Sequence, residues 1–306
     1  MQNPRFSVVI CTYNRAKYLS KTLESVAEQV YPPEKFEIVV VDNNSRDNTE
    51  EVVFIFRSQN KHLTIHYLKE QRQGISFARN SGVTAAEGEF ITFLDDDETI
   101  GSNFLSTLDV FFTEYRDASL CSEPVVPVYE AEKPGWLSPF TMRLITGAYD
   151  KGIRIKAVKA GDYPGTGHAS FRKSLFTKYG GFNTELGRRG NSLLGAEDKD
   201  FFLRLLQNGI KCYYVPEATI YHYIPASKLT TDFFTRITYA IGVSERIRTM
   251  SESRFSYFKR LASEGFKWIA SMLLFLYYLA TFRYPKGEKL LQFRYYVTRG
   301  LLRGKS

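Results

Sequence analysis

The sequence predicts an α/β protein with a mainly parallel sheet flanked by helices, followed by a C-terminal helical appendage. Three observations predict this fold: strand-like apolar runs alternate with stretches of helical spacing, two of the first four runs end in aspartate, and basic residues gather at the carboxyl end. The 306 residues, 43% of them hydrophobic, suffice for a catalytic domain and a further region. Ligands bind at the carboxyl ends of strands in such sheets, so we expect the site there.

Four apolar runs rich in β-branched and aromatic residues are predicted as buried strands. They cover residues 6–11, 36–41, 63–68 and 90–94. Each of the first three is followed by a stretch with helical spacing before the next strand begins. This alternation of strand and helix favours parallel pairing, with helices on both faces of the sheet.

Three helices are predicted between these strands. The first is indicated by apolar residues at helical spacing, namely Leu19, Leu23, Val26 and Val30. Asp47 or Asn48 is a candidate cap for the second helix, which is expected to run through Phe56. The third is predicted over residues 75–86, directly after Gly74.

Polar residues follow three of the predicted strands directly. The first strand is followed by Thr-Tyr-Asn-Arg at residues 12–15, and the second by Asp-Asn-Asn-Ser at residues 42–45. The fourth is followed by Asp95, Asp96 and Asp97, whose carboxylates repel one another unless a cation or several hydrogen-bond donors offset the charge. The alternative for the triplet is a solvated turn that caps a helix.

The net positive charge of the chain arises at its carboxyl end. The net charge is +8, and residues 254–306 hold 11 Lys and Arg against 2 Asp and Glu. The rest of the chain is therefore almost neutral, which argues against a nucleic-acid-binding face on the main domain. The three cysteines, Cys11, Cys121 and Cys212, are scattered, so reduced thiols in the cytoplasm are expected. The first residues lead directly into a predicted strand, so no secretory signal is expected.

Four pieces of the sequence, in order and spacing, resemble family 2 glycosyltransferases. They are residues 7–15, 39–45, 74–80 and 93–97, and the later Gly-Ala-Glu-Asp at 195–198 resembles a fifth element of that family. The resemblance covers about residues 5 to 225, and the combination is specific although each piece alone is weak. It implies the GT-A fold, a nucleotide-sugar donor, a divalent metal and inversion at the anomeric carbon.

The resemblance implies a set of donor-binding residues. They are Thr12, Tyr13, Arg15, Asp42, Arg79, Asn80, Asp95 and Asp96. The alternatives are structural: Tyr13 as a packing residue, Asp42 as a turn former, and Arg79 as a bridge to carboxylates such as Asp95. A hydrogen bond that Asp42 accepts from a base N–H does not distinguish uracil or thymine from guanine, although a UDP-sugar is the favoured donor.

The same resemblance places the D-x-D pattern of the family on Asp95 and Asp97. Asp97 is expected to bind Mn²⁺ or Mg²⁺, because hard oxygen ligands suit both ions. Asp95 is expected to face the ribose or a metal-bound water and is a further candidate ligand. His222, between two tyrosines, could complete the metal shell, or it could be an ordinary packing residue.

The general base implied by the resemblance is Asp198, with Glu197 as the second candidate. Both residues follow a Gly-rich stretch and open a helix with Phe201, Phe202 and Leu205 on its apolar face. The alternative is a plain N-cap, since a carboxylate is stabilised at the start of a helix.

Two domains are expected, a GT-A domain over residues 1–225 and a helical, basic-aromatic membrane-association region over residues 226–306. The latter contains 15 consecutive uncharged residues at 268–282, fewer than the roughly 20 that a membrane span needs. Aromatic and basic residues around an apolar helix are typical of a helix lying in a bilayer interface. The alternative is a helix packed against the catalytic domain.

The function expected from these features is transfer of a single sugar from a nucleotide sugar to a lipid-linked glycan in surface polysaccharide synthesis. The enzyme is expected in the cytoplasm, peripheral on the inner face of the membrane. The Q-x-x-R-W element of processive relatives is not matched at residues 292–296. The alternatives are a catalytically silent sugar-nucleotide or glycan-binding protein at the membrane, and a sugar nucleotidyltransferase. A sugar nucleotidyltransferase would require a Gly-rich, basic loop after the first strand.

Overall fold

The computed structural model describes residues 3–159 and 161–304. The two predicted domain ranges also include Met1, Gln2, Ala160, Lys305 and Ser306, which lie outside the described residues. The chain forms two compact units. The sheet unit contains residues up to 128, 149–184 and 198–223, and the helical unit contains 129–148, 185–197 and the chain from 224 onward. The predicted boundary near residue 225 stays a prediction.

The strands and helices alternate through the first hundred residues, as expected. The strands are β1 (Phe6–Thr12), β2 (Phe36–Asp42), β3 (Thr64–Lys69), β4 (Phe90–Asp95), β5 (Glu98–Ile100), β6 (Leu120–Ser122), β7 (Val125–Tyr129), β8 (Lys156–Ala157), β9 (Ala169–Arg172), β10 (Tyr213–Tyr214) and β11 (Ile220–Ile224). The helices are α1 (Ala16–Ala27), α2 (Thr49–Gln59), α3 (Ile75–Ala85), α4 (Phe104–Glu114), α5 (Pro139–Thr146), α6 (Ser174–Tyr179), α7 (Glu197–Gln207), α8 (Thr231–Glu252), α9 (Arg254–Ala280) and α10 (Tyr284–Arg303).

The large sheet of the described chain has the strand order β3-β2-β1-β4-β9-β6-β10-β8. Its first four strands pair in parallel, and β9 then runs antiparallel to β4. The pairing of β1 places Thr12 opposite Asp42 and Cys11 opposite Asp95. The strand ends that carry the polar residues therefore lie side by side, and the predicted α/β fold with a mainly parallel sheet is confirmed.

The helices cover both faces of this sheet because alternate strand residues point to opposite sides. One core contains Val8, Ile10 and the α1 residues Leu19 and Leu23. The other contains Val9 and packs against α3, α6 and α7. The prediction that the first helix reaches Val30 is wrong: α1 ends at Ala27, and Val30 is 70% exposed.

The helical unit contains a tightly packed pair of helices, α8 and α10. A Cβ atom on Gly242 would lie 2.1 Å from the carbonyl oxygen of Val297, and one on Gly300 would lie 2.3 Å from the carbonyl oxygen of Tyr239. These two glycines therefore let the helix backbones meet. Among the helices of residues 3–159 and 161–304, none is long and apolar enough to cross a membrane.

Candidate functional site

The three aspartates after β4 are partnered by the turn that follows β1. Thr12 donates its hydroxyl to Asp96 at 2.8 Å. The guanidinium of Arg15 lies 3.3 Å from Asp96 Oδ1 and 2.5 Å from Asp97 Oδ2. Burial raises the pKa of Asp96 to about 7, although the charge of Arg15 opposes that rise. The turn after β1 thus contacts two of the three aspartates of the triplet.

Two histidines come close to the end of the triplet. His222 lies on β11, which pairs antiparallel with β5 and sets His222 opposite Glu98. His222 Nε2 is 3.4 Å from Asp97 Oδ2, and its Nδ1 is 3.9 Å from Glu98 Oε1. His168 Nε2 is 2.6 Å from the same Glu98 oxygen. All of these side chains are buried.

The chemistry of these side chains suits a divalent cation. Ligand atoms of Glu98, His168 and His222 lie within 4.8 Å of one another, and Asp97 approaches His222 from the other side. Carboxylate oxygen and imidazole nitrogen together are ligands that Mn²⁺ accepts, and Mg²⁺ takes the oxygens. Burial lowers the pKa of His168, but the charge and hydrogen bond of Glu98 raise it overall to about 9. An ion bound by His168 must therefore displace a proton.

Arg79 joins Asp198 to the aspartate triplet. It lies on α3 and is 5% exposed, and its Nη1 donates to Asp198 Oδ1 at 2.8 Å. Its Nη2 lies 3.6 Å from Asp95 Oδ1. Thr166 also donates its hydroxyl to Asp198 Oδ1. Burial opposes ionisation of Asp95, but the charges of Arg79 and His168 bring the pKa of its carboxyl below the usual value.

The loop before β9 makes a close approach to Asp95. A Cβ atom on Gly167 would lie 2.7 Å from Asp95 Cγ, inside the range that real Cβ atoms do not reach. Only glycine can therefore stand at this position while the Asp95 carboxylate keeps its place.

The remaining predicted donor-binding residues, Asp42, Tyr13 and Asn80, lie in the sheet unit. Both oxygens of Asp42 accept bonds, one from the Ser45 N–H at 2.8 Å and the other from the Tyr67 hydroxyl at 2.7 Å. Asp42 thus shapes its own turn, as the structural alternative describes, and its nucleotide contact stays a prediction. Tyr13, between Thr12 and Asn14, is half-buried. Asn80 holds the backbone of Phe182 through two hydrogen bonds.

The two candidate bases differ in exposure. Glu197, the first residue of α7, is 6% exposed, whereas the side chain of Asp198 is 28% exposed. A base must reach an acceptor hydroxyl, so this difference favours Asp198. The roles of both residues stay predictions.

The site also contains residues that the sequence did not single out for these roles. Glu98 directly follows the triplet, and its position as a fourth consecutive acidic residue could have marked it as a further candidate metal ligand. Thr166 and Glu123 carried no comparable signal. Glu123 lies fully buried beside Ser170, which donates to its Oε1 at 2.8 Å.

Comparison with known proteins assigns the chain to a family. Residues 7–180 match the family described as Glycosyl transferase family 2, which is more than half of the chain. The chain belongs to glycosyl transferase family 2. The predicted resemblance and the prediction of enzymatic glycosyl transfer are therefore confirmed.

Relatives of this glycosyltransferase act on several carriers according to their names. A glucosyl-dolichyl phosphate glucuronosyltransferase from Haloferax volcanii is 26% identical over 265 residues, which is 84% of this chain and 83% of that protein. A GalNAc(5)-diNAcBac-PP-undecaprenol beta-1,3-glucosyltransferase from Campylobacter jejuni is 37% identical over 105 residues, or 34% of this chain and 33% of that protein.

Solved structures show the same fold. A mannosyltransferase from Pyrobaculum calidifontis, in complex with GDP-Man and Mn²⁺, matches with a TM-score of 0.68 at 18% identity and covers 100% of this chain and 89% of that one. Residues 1–349 of S. aureus TarS, in complex with UDP-GlcNAc, match with a TM-score of 0.56 at 20% identity, covering 98% and 92%. The GT-A fold expected for this glycosyltransferase is confirmed.

Proposed function

We propose that this glycosyltransferase is metal-dependent and inverting. It moves a single sugar from a nucleoside-diphosphate sugar, with a UDP-sugar as the favoured donor, to a lipid-linked glycan in surface polysaccharide synthesis. The observation that carries the proposal is the bridge formed by Arg79, which lies 2.8 Å from Asp198 and 3.6 Å from Asp95. The candidate base and the first residue of the D-x-D pattern thus flank one guanidinium.

Asp198 is the base in the proposed transfer. The acceptor hydroxyl oxygen attacks the anomeric carbon from the face opposite the diphosphate, which inverts the configuration. Asp198 takes the hydroxyl proton as the new C–O bond forms, and the bond to the diphosphate breaks with its electron pair leaving on the nucleotide. Arg79 and Thr166 hold the carboxylate in place for this step.

The donor is held by the turns after β1 and β2. Thr12 and Asp42 stand opposite each other in the sheet, and Tyr13 and Arg15 follow Thr12 along the chain. A half-buried tyrosine offers a face on which a base can stack. A guanidinium binds phosphate oxygens well, so Arg15 is the natural partner of the donor diphosphate.

The cofactor is Mn²⁺ or Mg²⁺. Asp97 and His222 are the proposed ligands, with Asp95 from the D-x-D pattern, and Glu98 and His168 provide further donors next to His222. When bound, the ion neutralises charge on the departing diphosphate.

The acceptor is a glycan on a polyprenyl lipid, and the enzyme acts at the inner face of the membrane. The names of two relatives support this, since one names dolichyl phosphate and the other undecaprenol. Residues 226–306 are proposed as the membrane-association region and residues 1–225 as the GT-A domain. The basic excess after residue 254 fits an anionic membrane surface.

A screen of nucleotide sugars for release of nucleoside diphosphate tests the proposal. Release is expected with Mn²⁺ or Mg²⁺ and to stop when EDTA is added. Asp97→Asn is expected to abolish release, whereas Asp117→Asn, an exposed aspartate, is the matched control. The anomeric configuration of the product, determined by NMR, tests inversion.

The same screen separates the alternatives. A silent binding protein would retain the nucleotide sugar without turnover. A nucleotidyltransferase would consume a nucleoside triphosphate and a sugar phosphate. Full activity of Asp97→Asn, or activity that survives EDTA, would contradict the metal role.

A further inference from the structure

Helix α9 has a polar inner side. Its buried positions recur every seven residues. They are Tyr257, Glu264, Ser271 and Tyr278. Glu264 is 2% exposed and is paired with Arg260 at 2.6 Å and with Arg294 of α10 at 2.8 Å. The side of α9 that packs within the helical unit thus contains hydroxyl groups and an ionic cluster.

The opposite side of α9 is apolar and exposed. Its large side chains recur at three- and four-residue spacing, which places them on one face of the helix. We name this face the outer stripe; it consists of Phe255 (78% exposed), Phe258 (64%), Phe266 (75%), Ile269 (62%), Leu273 (63%) and Leu276 (54%). At 1.5 Å per residue, the outer stripe is about 32 Å long.

The polarity of α9 is the reverse of that expected for a surface helix of a soluble protein. A helix on a soluble surface normally turns its apolar face inward and its charged face to solvent. Here Glu264 and Ser271 lie inside, while Phe266 and Leu273 point outward. Contiguous exposed apolar patches of this size are rare on soluble monomers and mark interaction surfaces.

Charge identifies the partner of the outer stripe. Residues 254–280 contain one acidic residue, Glu264, and it is buried. Exposed basic residues accompany the stripe, with Arg254 and Lys259 near its start and Lys267 in its middle. A second copy of the chain would bring like charges together, whereas an anionic phospholipid surface offsets them.

We propose that the outer stripe of α9 inserts into an anionic phospholipid bilayer surface, with the helix lying parallel to the membrane plane. This inference deepens the proposed function, because it names the surface on which a lipid-linked acceptor would be met. A parallel orientation fits the two-sided character of α9, whose polar inner side is satisfied by its own protein. Trp268, half-buried, donates its indole N–H to Thr298 at 2.9 Å, so the aromatic ring is anchored on the protein side.

Sedimentation of the full-length protein with sucrose-loaded vesicles tests the inference. Vesicles of phosphatidylcholine alone are compared with vesicles in which part of the lipid is phosphatidylglycerol. Binding is expected to the mixed vesicles and to weaken at high salt. The double variant Ile269→Asn with Leu273→Asn is expected to lower the partition coefficient roughly tenfold or more. Val110→Asn, which alters an exposed apolar residue of the sheet unit, is the matched control.

A charge variant tests the lipid class separately. Arg254→Glu with Lys259→Glu is expected to abolish the preference for anionic vesicles while the outer stripe is intact. Circular dichroism and melting of every variant confirm that the fold is kept.

Two results would overturn the inference. One is equal vesicle binding by the wild-type protein and the stripe variant. The other is a dimer in sedimentation equilibrium that dissociates on stripe substitution, without any vesicle binding. Transfer of the sugar to water or to a soluble acceptor, with release of the nucleoside diphosphate, is measured in parallel without vesicles. A protein that releases the nucleotide but ignores vesicles contradicts the membrane inference and the proposed membrane location, but not the proposed sugar transfer. Vesicle binding without nucleotide release contradicts only the proposed sugar transfer.

Discussion

The guanidinium of Arg15 lies 2.5 Å from Oδ2 of Asp97, the same oxygen that His222 approaches to 3.4 Å. A divalent ion that binds between His222 and this oxygen must share the oxygen with Arg15 or displace the guanidinium. The positive charge of Arg15 therefore opposes metal binding until a diphosphate offers the guanidinium another partner.

Arg15→Gln is accordingly expected to raise the affinity of the donor-free protein for Mn²⁺. Removing one positive charge that contacts a metal ligand corresponds to roughly a tenfold change in the affinity for Mn²⁺ after solvent screening. Titration of free Mn²⁺ by electron paramagnetic resonance measures it directly. Arg57→Gln, which alters an exposed arginine of α2, should leave the affinity unchanged. An Arg15→Gln protein that binds Mn²⁺ as the wild type does would contradict the competition.

The two candidate bases can be separated by isosteric substitution. Asp198→Asn is expected to lower kcat by about 10²–10⁴, because the amide cannot accept the acceptor proton. Donor affinity should change little, since Asp198 acts on the acceptor. Glu197→Gln is expected to keep most of its kcat because Glu197 is buried. Single-turnover rates and calorimetric donor binding measure both effects, and an inactive Glu197→Gln beside an active Asp198→Asn would reverse the assignment.

Much of the site was predictable because strand ends in a parallel sheet must converge. Thr12, Asp42 and Asp95 each follow an apolar run, and the register of β1 with its neighbours brings them together. The antiparallel pairing of β5 with β11 was not predictable, since β5 has three residues and no distinct pattern. That pairing places Glu98 beside His222 and so enlarges the group of candidate metal ligands.

The helices show a second limit of sequence patterns. Apolar spacing predicted that the first helix would reach Val30, although the chain leaves the helix after Ala27. Hydrophobic spacing alone does not record where backbone hydrogen bonding ends. In α9 the same patterns found the apolar residues, but they did not reveal that Glu264 and Ser271 face inward. That arrangement depends on Arg260 and Arg294, which neutralise the buried carboxylate.

Gly167→Ala tests the close approach of the loop to Asp95. The added Cβ would lie 2.7 Å from Asp95 Cγ, so either the loop or the carboxylate must move. A displacement of about 1 Å in such a site is expected to lower kcat/KM roughly 100-fold. Gly101→Ala is the control because a Cβ there meets no atom within 4 Å. Steady-state kinetics together with melting temperatures show whether the loss is local, and unchanged kinetics for Gly167→Ala would contradict the steric argument.

The last prediction concerns the buried carboxyl group of Glu123. Burial raises its pKa to about 8 from the ordinary 4.5, although hydrogen bonds from Ser170 and Cys121 oppose the rise. Its Oε2 is buried without a hydrogen-bond partner among the described residues. The folded protein therefore holds a proton here that the unfolded chain loses above pH 4.5, so stability falls as the pH rises towards 8. The slope reaches at most about 1.4 kcal/mol per pH unit.

Glu123→Gln removes this titration and keeps the shape of the side chain. Its free energy of unfolding, measured with urea at several pH values between 5 and 8.5, is compared with that of the wild type. The amide Oε1 can still accept from Ser170, and the cost of burying the new N–H groups is the same at every pH. His168 titrates in both proteins, and its coupling to Glu123 is part of the measured difference. The variant is thus expected to gain stability relative to the wild type as the pH rises. Parallel curves would mean that Glu123 stays ionised in the folded protein.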